Sequence, residues 1–258
     1  MEPRDVAAGV YYLSLRGSNV YFVRSGSSWA LIDTGWGNNA DLIQEAAESL
    51  FGPGARPAAI LLTHAHPDHV GSAVELARRW GLPVYVHPDE LSLAFSDFSA
   101  ITAYANLLDR WIVLPLMRVM GRKRREAMLS SSSLRDVARA FEPSAGVPGL
   151  PDWECIPTPG HTPGHVAFFR RDDRVLIAGD AVLTAALGGL LPSRQRISLP
   201  PYVSSWNWRQ TKDSIVTLAK LEPRVLATGH GVPMAGAGVS QDLHDFVNRR
   251  CMNNGAHE

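Results

Sequence analysis

Residues 61–71 read LLTHAHPDHVG, which puts His64, His66, Asp68 and His69 within six positions of one another, directly after the apolar run AAILL. Three of the chain's nine histidines at one strand end call for a chemical reason. Alternate side chains of an extended segment share a face, so His64 and His66 can reach one ion. Past Pro67 the chain turns, and Asp68 and His69 can reach a second ion beside the first. Such a cluster carries weight only if further donors arrive from elsewhere in the sequence.

They arrive three times, each at a strand end or in a tight Gly/Pro loop. TPGHTPGH supplies His161, LIAGDAV supplies Asp180, and LATGHG supplies His230. The flanking glycines allow close backbone approach and positive φ. His64, His66 and His161 make a three-nitrogen site; Asp68, His69 and His230 make a second; Asp180 can bridge both. Imidazole and carboxylate donors suit two divalent ions, zinc first, with iron or manganese as alternatives. Each ion would keep an open position, as a catalytic site must, and a hydroxide between two cations is a nucleophile at neutral pH. Asp68 is then both ligand and catalytic residue, hydrogen-bonding the hydroxide or passing a proton to the leaving group. A lone histidine at a strand end is more often a hydrogen-bonded structural residue. Three within six positions, with three more donors following in order, point to metal.

The elements that must hold these residues are short. GVYYLSL, NVYFVR and WALIDTG read as strands joined by tight turns. A helix through DLIQEAAESLF, capped by Asn38 or Asn39, ends at Gly52. The strand AAILL, the histidine loop, the helix SAVELARRW closed by Gly81 and the strand PVYVH follow. HVAFFRR, RVLIAGD, a helix from about 205 to 221 and the strand RVLAT repeat this loosely. The pattern predicts two sheet layers with helices outside. From about 89 to 152 the chain instead reads as helical, with Tyr104, Leu107, Leu108, Trp111 and Ile112 among its apolar residues. Connections this long are often lids or binding elements.

The ordered set THAHPDH, TPGHTPGH, GD and GHG resembles the metallo-β-lactamase superfamily, over nearly the whole chain. The resemblance implies an α+β fold, the αβ/βα four-layer sandwich, as one domain over 1–258 with the helical insertion at about 89–152. It implies the ligand roles already counted, and from LIDTG a supporting role for Asp33, outside the ligands but orienting a ligating imidazole. His165 and His87 also match recurrent positions and read as structural or supporting; His244 and His257 read as surface residues. Both His69 and Asp180 are present, as in the glyoxalase II and lactonase branch, whereas the β-lactamases of the superfamily usually lack the bridging aspartate. The short stretch after His230 leaves little room for the helical region that binds glutathione. The expected activity is hydrolysis of an ester, lactone or thioester. Iron-dependent redox chemistry and a non-catalytic metal-binding module are the alternatives, separable by the metal bound.

Lys and Arg balance Asp and Glu at 25 each, so the footprint of a dedicated nucleic-acid binder is missing and a small-molecule substrate is expected. RKRRE reads as a solvated face, with contact to nucleic acid or anionic lipid as the alternative. The N-terminus shows no signal peptide and no run is long enough to span a membrane. Two cysteines make no disulfide framework, which fits a reducing cytoplasm; Cys155 reads as a buried, inert thiol. Trp206 and Trp208 read as core, with one available to a pocket. For the insertion, a roof over the metal cleft built on Leu108 and Trp111 is favoured over a homodimer contact or a membrane-surface element.

Overall fold

Strands that are apolar on both faces need cover on both sides, and that requirement sets the layering of this chain. The computed structural model describes residues 2–185 and 197–252. An antiparallel meander opens it: β1 (Arg4–Ala7), β2 (Val10–Leu15), β3 (Ser18–Ser25) and β4 (Ser28–Ile32). Helix α1 (Ala40–Phe51) leads to β5 (Ala59–Leu61), parallel to β4. The one-turn helix α2 (Pro67–Val70) and α3 (Ala73–Trp80) lead to β6 (Val84–Val86), again parallel. Small helices follow: α4 (Leu91–Ala94), α5 (Phe98–Ala103), a π-helical turn over Asp109–Val113 running into α6 (Leu114–Val119), and α7 (Arg122–Ser132). Strand β7 (Ala138–Ala140) then completes a seven-stranded sheet beside β6.

The second sheet has the order β12-β11-β10-β9-β8 in chain numbering. Its strands β8 (Trp153–Pro157), β9 (Val166–Arg170) and β10 (Val175–Ile177) form another antiparallel meander. After α8 (Trp208–Ala219), β11 (Val225–Ala227) pairs parallel to β10; β12 (Met234–Ala235) and α9 (Val239–Val247) follow.

Alternation along each strand builds three stacked cores. In β3, Val20 and Phe22 pack towards α1 and α3, with Ile43 and Leu76. Tyr21 and Val23 face the other way and meet Phe168 and Ile177 of the second sheet. In β9, Phe168 is on that inner face while Phe169 packs with Ile215 of α8 and Leu243 of α9. The result is the four-layer helix–sheet–sheet–helix sandwich of the α+β expectation. The insertion has its own small core of Ala105, Leu114 and Met117.

Three strands depart from the sequence reading: β1, β7 and β12. Arg-Asp-Val-Ala, Ala-Arg-Ala and Met-Ala lack the β-branched and aromatic runs that mark the other strands. The helical reading of 89–152 therefore holds only to Ser132, and β7 belongs to the sheet. Asn39 does precede α1, but its side chain makes no capping bond. Among the described residues no helix is long and apolar enough to cross a membrane.

Candidate metal centre

The site forms where the strands of both sheets end. Thr63 and His64 follow β5. His66, restrained by the proline after it, is extended at φ −74° and ψ 149°. Pro67 suits the first turn of α2, which swings Asp68 and His69 round to a second position. The β8–β9 loop brings His161, the end of β10 brings Asp180, and the end of β11 brings His230. At Gly229 a Cβ would collide with Asp180 Oδ1, so only glycine lets that loop approach.

All seven sequence-predicted donors converge. Donor atoms of His64, His66 and His161 lie within 4.8 Å of one another, as do those of Asp68, His69 and His230, and those of His64, His69 and Asp180. His64 Nε2 is 3.1 Å from His66 Nδ1. Asp180 turns its two oxygens in different directions: Oδ1 lies 3.6 Å from His69 Nε2, and Oδ2 lies 3.5 Å from His161 Nε2 and 3.2 Å from His230 Nε2. Asp68 Oδ2 lies 3.2 Å from His230 Nε2 and 3.6 Å from His69 Nε2. His69 Nε2, His161 Nε2 and Asp180 Oδ1 are buried with no hydrogen-bond partner. Buried polar atoms are rarely left so, and unpaired ligand atoms spread over these overlapping clusters fit bound cations.

The outer nitrogens are committed. Asp33, 1% exposed, accepts from Thr63 N–H, Thr63 Oγ1 and His69 Nδ1, each at 2.8 Å. A carboxylate only accepts, so His69 carries its proton on Nδ1. Having donated to Asp33, the Thr63 hydroxyl accepts from His64 Nδ1 at 3.0 Å. His230 Nδ1 donates to Gly17 O at 2.8 Å. Three imidazoles thus present Nε2 to the centre. Asp33 occupies the left-handed region at φ +61°, where residues other than glycine are uncommon and often functional.

Two supports were not legible in the sequence as site residues. Glu90, 1% exposed, accepts from Ala65 N–H at 2.9 Å and Gly164 N–H at 2.8 Å, tying the loop of His64 and His66 to that of His161. Burial raises its pKa to about 7 against those donors. Ser205 Oγ lies 3.2 Å from His161 Nδ1. Neither stands in a motif, and only the fold reveals them. His165 takes the Asp180 N–H on Nε2 at 3.0 Å, so it positions the Asp180 loop, while His87 accepts from Asp89 N–H and caps a turn. His244 is half-buried on α9 and His257 lies outside the described residues. Cys155 is buried, which pushes its thiol up to about 12.

The charges divide the imidazoles. Burial, then neighbouring histidines, lowers His64 well below its ordinary value, and His161 is lowered chiefly by burial too. For His69 and His230 burial acts downwards but the carboxylates win, lifting them to about 9 and about 11. Asp180 is lowered: burial opposes ionisation, and His69 and His230 overcome it. The pocket therefore draws positive charge to Asp68 and Asp180.

A cavity of about 490 Å³ opens beside His66 and His161. The insertion supplies much of its apolar wall, including Ile101, Tyr104, Val113 and Met117, with Asn106 and Asp109 as polar points, and Trp206 closes another side. Trp206 stacks edge-on against Tyr104 at 5.3 Å. The roof residues expected from sequence are otherwise placed: Leu108 is 42% and Trp111 79% exposed, on the outer side of the insertion.

Comparison with known proteins follows the same lines. The family model described as the metallo-beta-lactamase superfamily matches residues 13–230. The "Probable metallo-hydrolase YflN" of Bacillus subtilis (strain 168) is 36% identical over 251 residues, covering 95% of this chain and 92% of that protein. Among solved structures, the metallo-beta-lactamase family protein TTHA1429 from Thermus thermophilus aligns with a TM-score of 0.64 at 23% identity, covering 95% of this chain and 80% of that one. TTHA1623, solved in a di-iron-bound form, aligns with a TM-score of 0.58 at 26% identity, covering 94% and 98%.

Proposed function

The chain belongs to the metallo-β-lactamase superfamily, and we propose that it is a hydrolase dependent on two divalent ions, cleaving an ester, lactone or thioester with an apolar acyl part. The observation that carries this reading is the convergence of buried, unpartnered donor atoms beside an apolar chamber. In this reading His64, His66 and His161 hold one ion, Asp68, His69 and His230 the other, and Asp180 reaches both. Zinc is the proposed metal; the same donors accommodate iron or manganese. Ions so held would acidify water and polarise a carbonyl.

The remaining work belongs to the chain. Asp33 and Gly17 O keep the lone pairs of His69 and His230 turned inwards. Asp180, buried, serves as a fixed ligand, whereas Asp68 is 17% exposed on its side chain and faces the cleft. Facing the cleft, Asp68 would take the proton given up by the attacking water and hand it to the departing alkoxide or thiolate. The chamber walls exclude water from the acyl chain and orient the carbonyl towards the centre.

Hydrolysis of short- and long-chain esters, lactones and thioesters by metal-loaded protein, with a phosphodiester and a β-lactam alongside, tests the reading. Long acyl chains should be preferred, and Met117→Ala should narrow the ratio of long to short. Preference for the phosphodiester or the β-lactam would overturn it.

A further inference from the structure

The insertion has two faces, and the chamber uses only one. Along the helical stretch 107–119, Val113 is half-buried, and Leu114 and Met117 are 4% and 3% exposed. The opposite face holds Leu108, Trp111, Ile112, Leu116 and Val119, of which Trp111 is 79% and Val119 86% exposed. Steps of about four residues join them into one stripe. Contiguous exposed apolar surface of this kind marks an interaction site.

Its surroundings decide the partner. Between 107 and 126 there are six basic residues, Arg110, Arg118, Arg122, Lys123, Arg124 and Arg125, against two acidic ones, in a chain whose net charge is zero. Of the two acids, Asp109 accepts on Oδ2 from Asn106 N–H in the chamber wall and Glu126 pairs with Arg122 at 3.1 Å. Arg125 stacks over Phe98 at 4.7 Å, while Arg110, Arg118, Arg122, Lys123 and Arg124 are exposed. An apolar stripe with tryptophan, flanked by cations, has the composition of a helix that lies in the interface of an anionic bilayer. A second copy fits less well, because a twofold contact sets a patch against itself and would bring the cations together.

We propose that the outer face of this insertion docks the protein on anionic phospholipid, with Trp111, Ile112, Leu116 and Val119 entering the interface and the basic residues meeting the headgroups. The inference stands apart from the proposed chemistry, since none of these residues touches the metal centre.

Sedimentation with vesicles of phosphatidylcholine alone, or rich in phosphatidylglycerol, tests it on the full chain. Binding to the anionic vesicles only, weakened by added salt, is expected. Each large apolar side chain withdrawn from water contributes about tenfold or more to partitioning. Trp111→Ser with Leu116→Ser should therefore reduce binding at least about a hundredfold, and Arg122→Glu with Arg124→Glu should abolish it. Circular dichroism controls for folding. No anionic preference, or binding indifferent to the double serine variant, would overturn the proposal. So would a dimer in gel filtration that the serine variant dissolves, or tight binding to an oligonucleotide that leaves the apolar stripe unused.

Discussion

Asp33→Asn preserves shape but should damage metal binding, because it inverts a set of protons. Asp33 accepts three hydrogen bonds at 2.8 Å from buried groups. Asparagine keeps one oxygen for Thr63 N–H and puts an NH₂ group where Oδ2 stood. Two charge-assisted bonds, about 1.5–3 kcal/mol each, are then at stake. The cheapest relaxation turns His69 Nδ1 and the Thr63 hydroxyl into acceptors, so that Thr63 donates to His64 Nδ1. His64, whose low pKa keeps its ring neutral, would then carry its proton on Nε2, the atom facing the centre, and His69 would lose its carboxylate partner. Metal binding must reverse this, and a loss of about 10–100-fold in affinity follows, the usual scale for disturbing a ligand's supporting partner. Asp33→Ala imposes no tautomer but strands three donors, so it should cost more stability and less metal affinity. Competition with a chromophoric chelator gives the affinity, and ¹⁵N imidazole spectra give the tautomers. An Asp33→Asn protein with wild-type affinity, or with Nδ1–H retained on His64 and His69, would refute the reasoning.

Other outcomes follow from the same geometry. Asp180→Ala should loosen both ions and remove most activity with a near-native circular dichroism spectrum; unchanged metal content would count against the bridge. Glu90→Ala strands Ala65 N–H and Gly164 N–H and should cost about 2–6 kcal/mol in urea unfolding, at about 1–3 for each buried donor left unpaired. Because burial lifts Glu90 to about 7 from an ordinary 4.5, its contribution is whole below 4.5 and lost as pH rises through 7; that slope should vanish in the variant. In the metal-free chain His69 and His230, lifted to about 9 and about 11, contribute stability present below 6.5 and lost as pH rises through those values. Metal should therefore displace about two protons near pH 7, read by calorimetry in buffers of different ionisation enthalpy; uptake without proton release would contradict this charge balance.

The donors were legible because metal ligation demands particular side chains at particular spacings, and little else in a sequence imitates that. Most strands were legible through their β-branched and aromatic runs. Glu90 was not, since its role depends on two backbone N–H groups, at Ala65 and Gly164, that only the fold brings to it. The insertion showed its apolar content but not which face each residue takes. A π-helical turn over Asp109–Val113 has more residues per turn than an α-helix, so a 3.6-residue extrapolation fails through it. Trp111 therefore stands outside and Met117 inside. Strand β7 stayed hidden because Ala-Arg-Ala has no strand signature, and its place beside β6 is decided by tertiary pairing.

Elemental analysis of the purified chain, after gentle isolation and again after loading with zinc or manganese, tests the two-ion centre most directly. Seven donor side chains exceed the needs of one tetrahedral ion, so a plateau of about two ions per chain is expected, lowered by Asp180→Ala. A content near zero that no loading raises would contradict the metal centre itself.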